Sequence, residues 1–171
     1  MVHVYHGEGK GKTTAAMGLA VRSAGCGNRV VIVQFLKGSQ TGELSILQRI
    51  PEIRVLRNKE DLGFVWTMSE EEKERTKCMH NDNLKKAMEL VAEGNCDLLV
   101  LDELSAAYRR GLIEKDMVQR LLETRTEQLE IVITGRNPDA LFIEHADYIT
   151  EMRKERHPYE KGIPARRGVE F

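Results

Sequence analysis

Six short apolar runs punctuate the chain, at residues 2–6, 29–35, 53–56, 98–101, 130–134 and 147–150. Several are unbroken in Val, Ile and Leu, as strands are when helices cover both faces of a parallel sheet. Helical spacing fills the stretches between them. Leu84, Ala87, Met88 and Val91 fall at i, i+3, i+4 and i+7 and mark one buried helix face. Ser69 ahead of Glu70, Glu71 and Glu72 gives that helix a start with acid in its first turn, and Gly94-Asn95 gives it an end. Met117, Val118, Leu121 and Leu122 mark a second helix, and residues 13–25 a third. Strand–helix alternation predicts an α/β layered domain around a mostly parallel central sheet of about six strands. No repeat, low-complexity segment or linker breaks it, so residues 1–171 are expected to form one domain. The segment at 152–171 is basic and irregular, and on composition alone it reads as a solvated end or as a segment closing the domain.

Composition narrows the class. The chain has 171 residues, 41% hydrophobic and 31% charged, a globular balance. Lys plus Arg number 26 against 27 Asp plus Glu, giving a net charge of −1, which argues against a dedicated nucleic-acid binder. No run approaches the roughly 18 apolar residues of a membrane helix, and the N-terminus does not read as a signal peptide. Three cysteines, Cys26, Cys78 and Cys96, are far apart and have no Cys-x-x-Cys spacing. They are expected to be partly buried thiols in a reducing, cytoplasmic setting. The five histidines show no metal spacing, and His3 and His6 are read as strand residues.

The chemistry concentrates in three places. Gly7-Glu8-Gly9-Lys10-Gly11-Lys12-Thr13-Thr14 follows the first strand and opens the first helix. Successive N–H groups of a glycine-rich turn, backed by a helix N-terminus, form a nest for phosphate oxygens. Lys12 supplies a mobile charge and Thr13 a hydroxyl for Mg²⁺. The match to G-x-x-x-x-G-K-[ST] is incomplete, because His6 takes the place of the first glycine, and Glu8 is expected to point to solvent. The second place is 97–103, an apolar strand ending in Asp102-Glu103 that resembles a Walker B element. Its carboxylates are placed to hold Mg²⁺ beside the phosphate loop, although Asp102 is equally suited to capping the following helix. The third is Ile133-Thr134-Gly135-Arg136, a strand ending in an Arg that would reach a phosphate or lie on a surface loop. Gly63-Phe64-Val65-Trp66 holds the only Trp. From residues alone it reads as core packing or as the wall of a flat ligand site.

Together these residues resemble the P-loop type of ATP:corrinoid adenosyltransferase. The matching pieces are Gly7–Thr14, Gln34-Phe35-Leu36-Lys37-Gly38, Thr41-Gly42-Glu43, Gly63-Phe64-x-Trp66, Val100-Leu101-Asp102-Glu103, Ile133-Thr134-Gly135-Arg136-Asn137, Ala146-Asp147 and a tail from His157-Pro158-Tyr159 to Phe171. The resemblance implies a P-loop NTPase-like (RecA-like) fold. It also implies transfer of the 5′-deoxyadenosyl group of ATP to the cobalt of a reduced corrinoid, with release of triphosphate. The Co(I) centre is then the nucleophile, consistent with a sequence that shows no nucleophile–base pair.

By position, the resemblance assigns Gly7 to Thr14 and Arg22 to the nucleotide, Thr13 and Glu103 to Mg²⁺, and Phe64 and Trp66 to the corrinoid. The two aromatics are thought to keep the lower axial ligand off cobalt. An electron-donating flavoprotein and a homodimer are implied in the same way. The tail is expected to pack near the ligands, with Tyr159 and Ile163 giving apolar contacts and Arg166 or Arg167 meeting an anion. The chain departs from the family pattern at Glu8, at Pro138-Asp139, and in starting directly at the first strand, where many relatives carry an extension over the nucleotide. Two other functions fit the same scaffold: an ATPase or small-molecule kinase, and a nucleotide-dependent binding module.

Overall fold

The computed structural model describes residues 1–37, 41–58 and 67–169. Six strands form one sheet in the order β3-β2-β4-β5-β1-β6, every neighbouring pair parallel. They are β1 (Val2–His6), β2 (Val30–Gln34), β3 (Ile53–Arg57), β4 (Leu98–Asp102), β5 (Glu130–Thr134) and β6 (Tyr148–Glu151). All six runs marked by the hydrophobic pattern are strands.

The unbroken runs have the cause the pattern suggests. Successive side chains leave a strand on opposite faces, and here both faces are covered. Val30 and Ile32, Leu98 and Val100, and Val132 pack beneath α1 (Lys12–Gly25) and α2 (Leu44–Leu47). Val31 and Val33, Leu99 and Leu101, and Ile131 and Ile133 pack against the other layer. That layer holds α3 (Glu70–Ala92), α4 (Leu104–Arg109), α5 (Lys115–Thr124) and α6 (Ala140–Glu144). The edge strand β6 is exposed along its length.

The α3 start follows the sequence signal. Ser69 Oγ accepts from Glu72 N and Glu72 Oε2 accepts from Ser69 N, a reciprocal capping box. The three cysteines do not behave alike. Cys26 and Cys78 are exposed, and only Cys96 is buried, its thiol pushed up to about 12 by that burial.

Connectivity sets where ligands fit. From β2 the chain runs outward to β3, while from its neighbour β4 it runs the other way to β5. Loops that diverge in this manner leave a crevice at the carboxyl ends of the two strands. Register fills that edge with polar groups: Arg57 pairs with Gln34, Gln34 with Asp102, and Thr134 of β5 follows the Leu101–Ile133 pair.

Candidate active site

The phosphate loop leaves β1 and enters α1 through Gly11, which has φ 118° and forms the helix N-cap. Lys12 folds back into the loop, and its Nζ donates to Gly7 O at 2.8 Å and Gly9 O at 2.7 Å. Burial is the main force lowering its pKa. Gly7 and Gly9 are glycine for a reason beyond access to phosphate. The Gly9 amide donates to Met152 O at 2.6 Å, and a β-carbon on Gly9 would lie 2.6 Å from the Met152 and Arg153 carbonyl oxygens. The chain leaving β6 therefore braces the loop from outside.

Asp102 ends β4 fully buried and does not cap a helix. Its Oδ1 accepts from Thr13 Oγ1 and from Thr134 Oγ1, each at 2.8 Å, and its Oδ2 accepts from Lys37 Nζ at 2.6 Å. The helix that follows starts one residue later, with Glu103 at its N-cap in the left-handed region (φ 63°) and making no side-chain cap. The Glu103 amide donates to Thr134 Oγ1. Burial first, and the Asp102 charge second, raise the Glu103 carboxyl, while Lys37, Lys12 and Arg136 pull it back. Thr13, Asp102 and Glu103 are thus brought together as expected. They present hard oxygen donors suited to Mg²⁺, which takes one or two carboxylates and completes its shell with substrate phosphate and water. Among the described residues no three His, Cys, Asp or Glu side chains are grouped so as to hold a metal ion.

A cavity of about 660 Å³ opens at this crevice. Thr13, Thr14, Lys37, Glu43 and Glu103 give it polar walls, and Gly168 and Val169 of the tail close one side. No Ser, Cys or His is among its described lining residues. A second cleft of about 680 Å³ flanks the loop on the β6 side, lined by Gly7, Glu8, Asn137 and Pro138 among others.

Other expected residues fall in different places. Glu8 is exposed, and its Oε2 lies 3.1 Å from Arg136 Nη1, so the two offset one another beside the loop. Lys10 is exposed. Arg22 is exposed in the last turn of α1, about 15 Å along the helix from Lys12, and its charge acts on Tyr5 of β1. Phe64 and Trp66 lie outside the described residues. The chain enters their segment from Asn58, a buried side chain that accepts from Asn83 of α3. The tail reaches the cavity through Gly168 and Val169, while Tyr159 and Ile163 are 77% and 45% exposed. Residues 158–161 form a 3-10 turn closed on itself, with His157 Nδ1 accepting from Tyr159 N and Gly162 ending it at φ 71°.

Three residues were missed by sequence reasoning. Lys37 is the cation on Asp102. His80 of α3, fully buried, accepts from the Leu36 amide at 3.2 Å and donates Nδ1–H to Leu112 O at 2.8 Å. Gln34, 1% exposed, has no partner for either carboxamide atom among the described residues. A buried polar group without a partner is rare and costly. Gln34 shares the α1-facing side of β2 with Ile32. The only advance signal was the run Gln34–Gly38, which no local rule converts into roles.

Comparison with known proteins decides among the chemistries a phosphate loop supports. Residues 1–171 match the family described as ATP:corrinoid adenosyltransferase BtuR/CobO/CobP. The chain belongs to the ATP:corrinoid adenosyltransferases. A corrinoid adenosyltransferase of Pseudomonas aeruginosa is 37% identical over 169 residues, covering 98% of this chain and 82% of that one. One of Escherichia coli K12 is 32% identical over 173 residues, covering 100% and 85%. Among solved structures, a KaiC-like protein of Pyrococcus horikoshii superposes with TM-score 0.55 at 16% identity, over 89% of this chain and 70% of that one. This likeness shows the P-loop NTPase-like fold.

Proposed function

We propose that this adenosyltransferase moves the 5′-deoxyadenosyl group of ATP onto the Co(I) centre of a reduced corrinoid, cob(I)alamin or cob(I)yrinic acid a,c-diamide. The observation that carries the reading is the family match across residues 1–171. The site's geometry agrees with it. A Co–C5′ bond forms, the C5′–O bond breaks, and triphosphate departs with the electron pair. The chain's task is therefore to hold a polyanionic leaving group and place C5′ in line with the metal of the second substrate. No side-chain nucleophile is required, in keeping with the described cavity lining.

The loop amides of Gly7 to Thr14, with Lys10 and Lys12, cradle the triphosphate, and Arg136 adds charge beside them. Lys12 exchanges two neutral carbonyl partners for phosphate oxygens. Thr13, Asp102 and Glu103 hold Mg²⁺, which when bound neutralises charge on the leaving group. Phe64 and Trp66 contact the corrinoid and disfavour its lower axial ligand. Residues 1–171 act as one domain with 152–171 as its closing segment. A homodimer and a flavoprotein electron donor rest on family resemblance, a cytoplasmic setting on the pattern of the three cysteines, and the lack of a nucleic-acid partner on the net charge of −1. No helix among the described residues is long and apolar enough to cross a membrane.

The test is to mix the protein with MgATP and chemically reduced cob(I)alamin and follow the corrin spectrum. Conversion of the Co(I) spectrum to that of an alkylcobalamin, dependent on both protein and ATP, is expected. A Co(I) spectrum that persists refutes the reading. Phe64→Ala and Trp66→Ala are expected to slow turnover from Co(II) corrinoid more than from pre-reduced corrinoid, with ATP affinity retained. Equal losses from both substrates would return these aromatics to the core.

A further inference from the structure

Lys37 stands where two of the metal's expected ligands meet. Its ammonium lies 2.6 Å from Asp102 Oδ2 and 3.4 Å from Thr13 Oγ1. Asp102 is fully buried, and a carboxylate so enclosed requires an opposite charge. The lysine side chain is only partly covered, at 22% exposure, and forms part of the cavity wall. It bridges a buried anion and the space where an anionic substrate fits.

Its position is built into the fold at some cost. Leu36, just before it, sits at φ 57°, a left-handed conformation that a leucine adopts only under constraint. Three hydrogen bonds impose that constraint. The Phe35 amide donates to Asp102 O at 3.0 Å, the Leu36 amide donates to His80 Nε2, and Lys37 O accepts from Arg57 Nη2 at 3.0 Å. Strands β2, β3 and β4 and helix α3 therefore all fix the point from which Lys37 reaches. An ordinary surface lysine has no such support.

We infer that Lys37 is a resident counter-cation, which neutralises Asp102 in the nucleotide-free site and moves to the triphosphate when a divalent cation takes Asp102 and Thr13. The inference rests on the metal reading above. Lys37 sits on Asp102 Oδ2 and beside Thr13 Oγ1, so a divalent ion that takes these two oxygens displaces it. Lys37 has a flexible four-carbon stem on a fixed Cα, and a swing of the stem carries its charge from the carboxylate into the cavity. Two consequences follow. Lys37 opposes metal binding when nucleotide is absent, and it adds a positive charge to the phosphate site once metal is present. Metal and polyphosphate binding are therefore positively coupled through this one side chain.

The experiment compares wild type with Lys37→Met, which keeps the stem and removes the charge. Binding of Mn²⁺ alone is measured by electron paramagnetic resonance, and binding of tripolyphosphate in saturating Mn²⁺ by calorimetry. Lys37→Met is expected to bind Mn²⁺ alone about tenfold more tightly and tripolyphosphate about tenfold more weakly. Opposite changes are the signature of exchange, because a purely structural lysine would weaken both together. Mn²⁺ affinity that is unchanged or reduced in Lys37→Met, or unchanged tripolyphosphate affinity, overturns the inference. Asp102→Asn is run alongside it. If Asp102→Asn binds Mn²⁺ as wild type does, the metal site itself is misassigned and the inference falls with it. Should Lys37→Met fail to fold, Lys37→Gln, whose amide still donates to Asp102, carries the same two readouts.

Discussion

Lys12 makes two hydrogen bonds to neutral carbonyls of its own loop, a pairing that phosphate oxygens outcompete because a charged acceptor binds an ammonium more strongly. Lys12→Ala is expected to lose at least about a hundredfold in turnover with pre-reduced corrinoid, measured by steady-state kinetics. Near-normal turnover would remove the loop from the mechanism. The loop was legible because its chemistry is local: glycines, a lysine and a threonine within eight residues, between a strand and a helix. Asp102 was only half legible. A strand ending in Asp-Glu offers both a metal ligand and a helix cap, and the structure excludes the cap, because three donors converge on the buried carboxylate and Glu103 holds the N-cap position. Lys37 could not be assigned in advance. It meets Asp102 across 65 residues of sequence, and that meeting depends on β2 lying beside β4.

At the scale of elements, the strands were readable because burial on both faces removes polar positions from them. The three shortest helices, α2, α4 and α6, span only four to six residues and are too short to show a 3.6-residue period. His80 ties α3 to the exit of β2 and to the turn at Leu112. Its burial holds the ring below its ordinary value, with the Leu112 carbonyl opposing weakly. The unfolded chain therefore binds a proton that the native state refuses as pH falls. The stability His80 contributes is full above about 6.5, its unfolded value, and is lost as pH falls through the lower folded value. Thermal melts from pH 7.5 to 5.5 should show a steeper loss for wild type than for His80→Gln, and parallel profiles would contradict this. The loop and the β6 exit are coupled in the same manner, by contact. Gly9→Ala places a methyl against the Met152 and Arg153 carbonyls and should destabilise by about 1–3 kcal/mol in urea titrations. Wild-type stability would show that this packing gives way freely.

For the whole molecule, the tail divides in two. Residues 151–153 belong to the scaffold: Glu151 ends β6, the Met152 amide donates to His6 O at 2.7 Å, and Met152 O receives Gly9. Beyond them the chain is largely exposed until Gly168 and Val169 meet the cavity. Truncation after Lys154 is therefore expected to keep the melting temperature within a few degrees while activity falls at least about tenfold, because only the segment that closes the site is lost. Full activity in the truncated protein would make the tail a solvated end. Its composition, basic with Gly and Pro, did not show this division, because backbone contacts at 152–153 leave no mark on side-chain pattern. The fate of the three phosphates separates adenosyl transfer from phosphoryl transfer. Phosphorus NMR of a reaction holding the protein, MgATP and cob(I)alamin should show intact tripolyphosphate formed one for one with adenosylated corrinoid. Orthophosphate with ADP, formed whether or not corrinoid is present, would make this protein a phosphoryl-transfer enzyme and contradict the account.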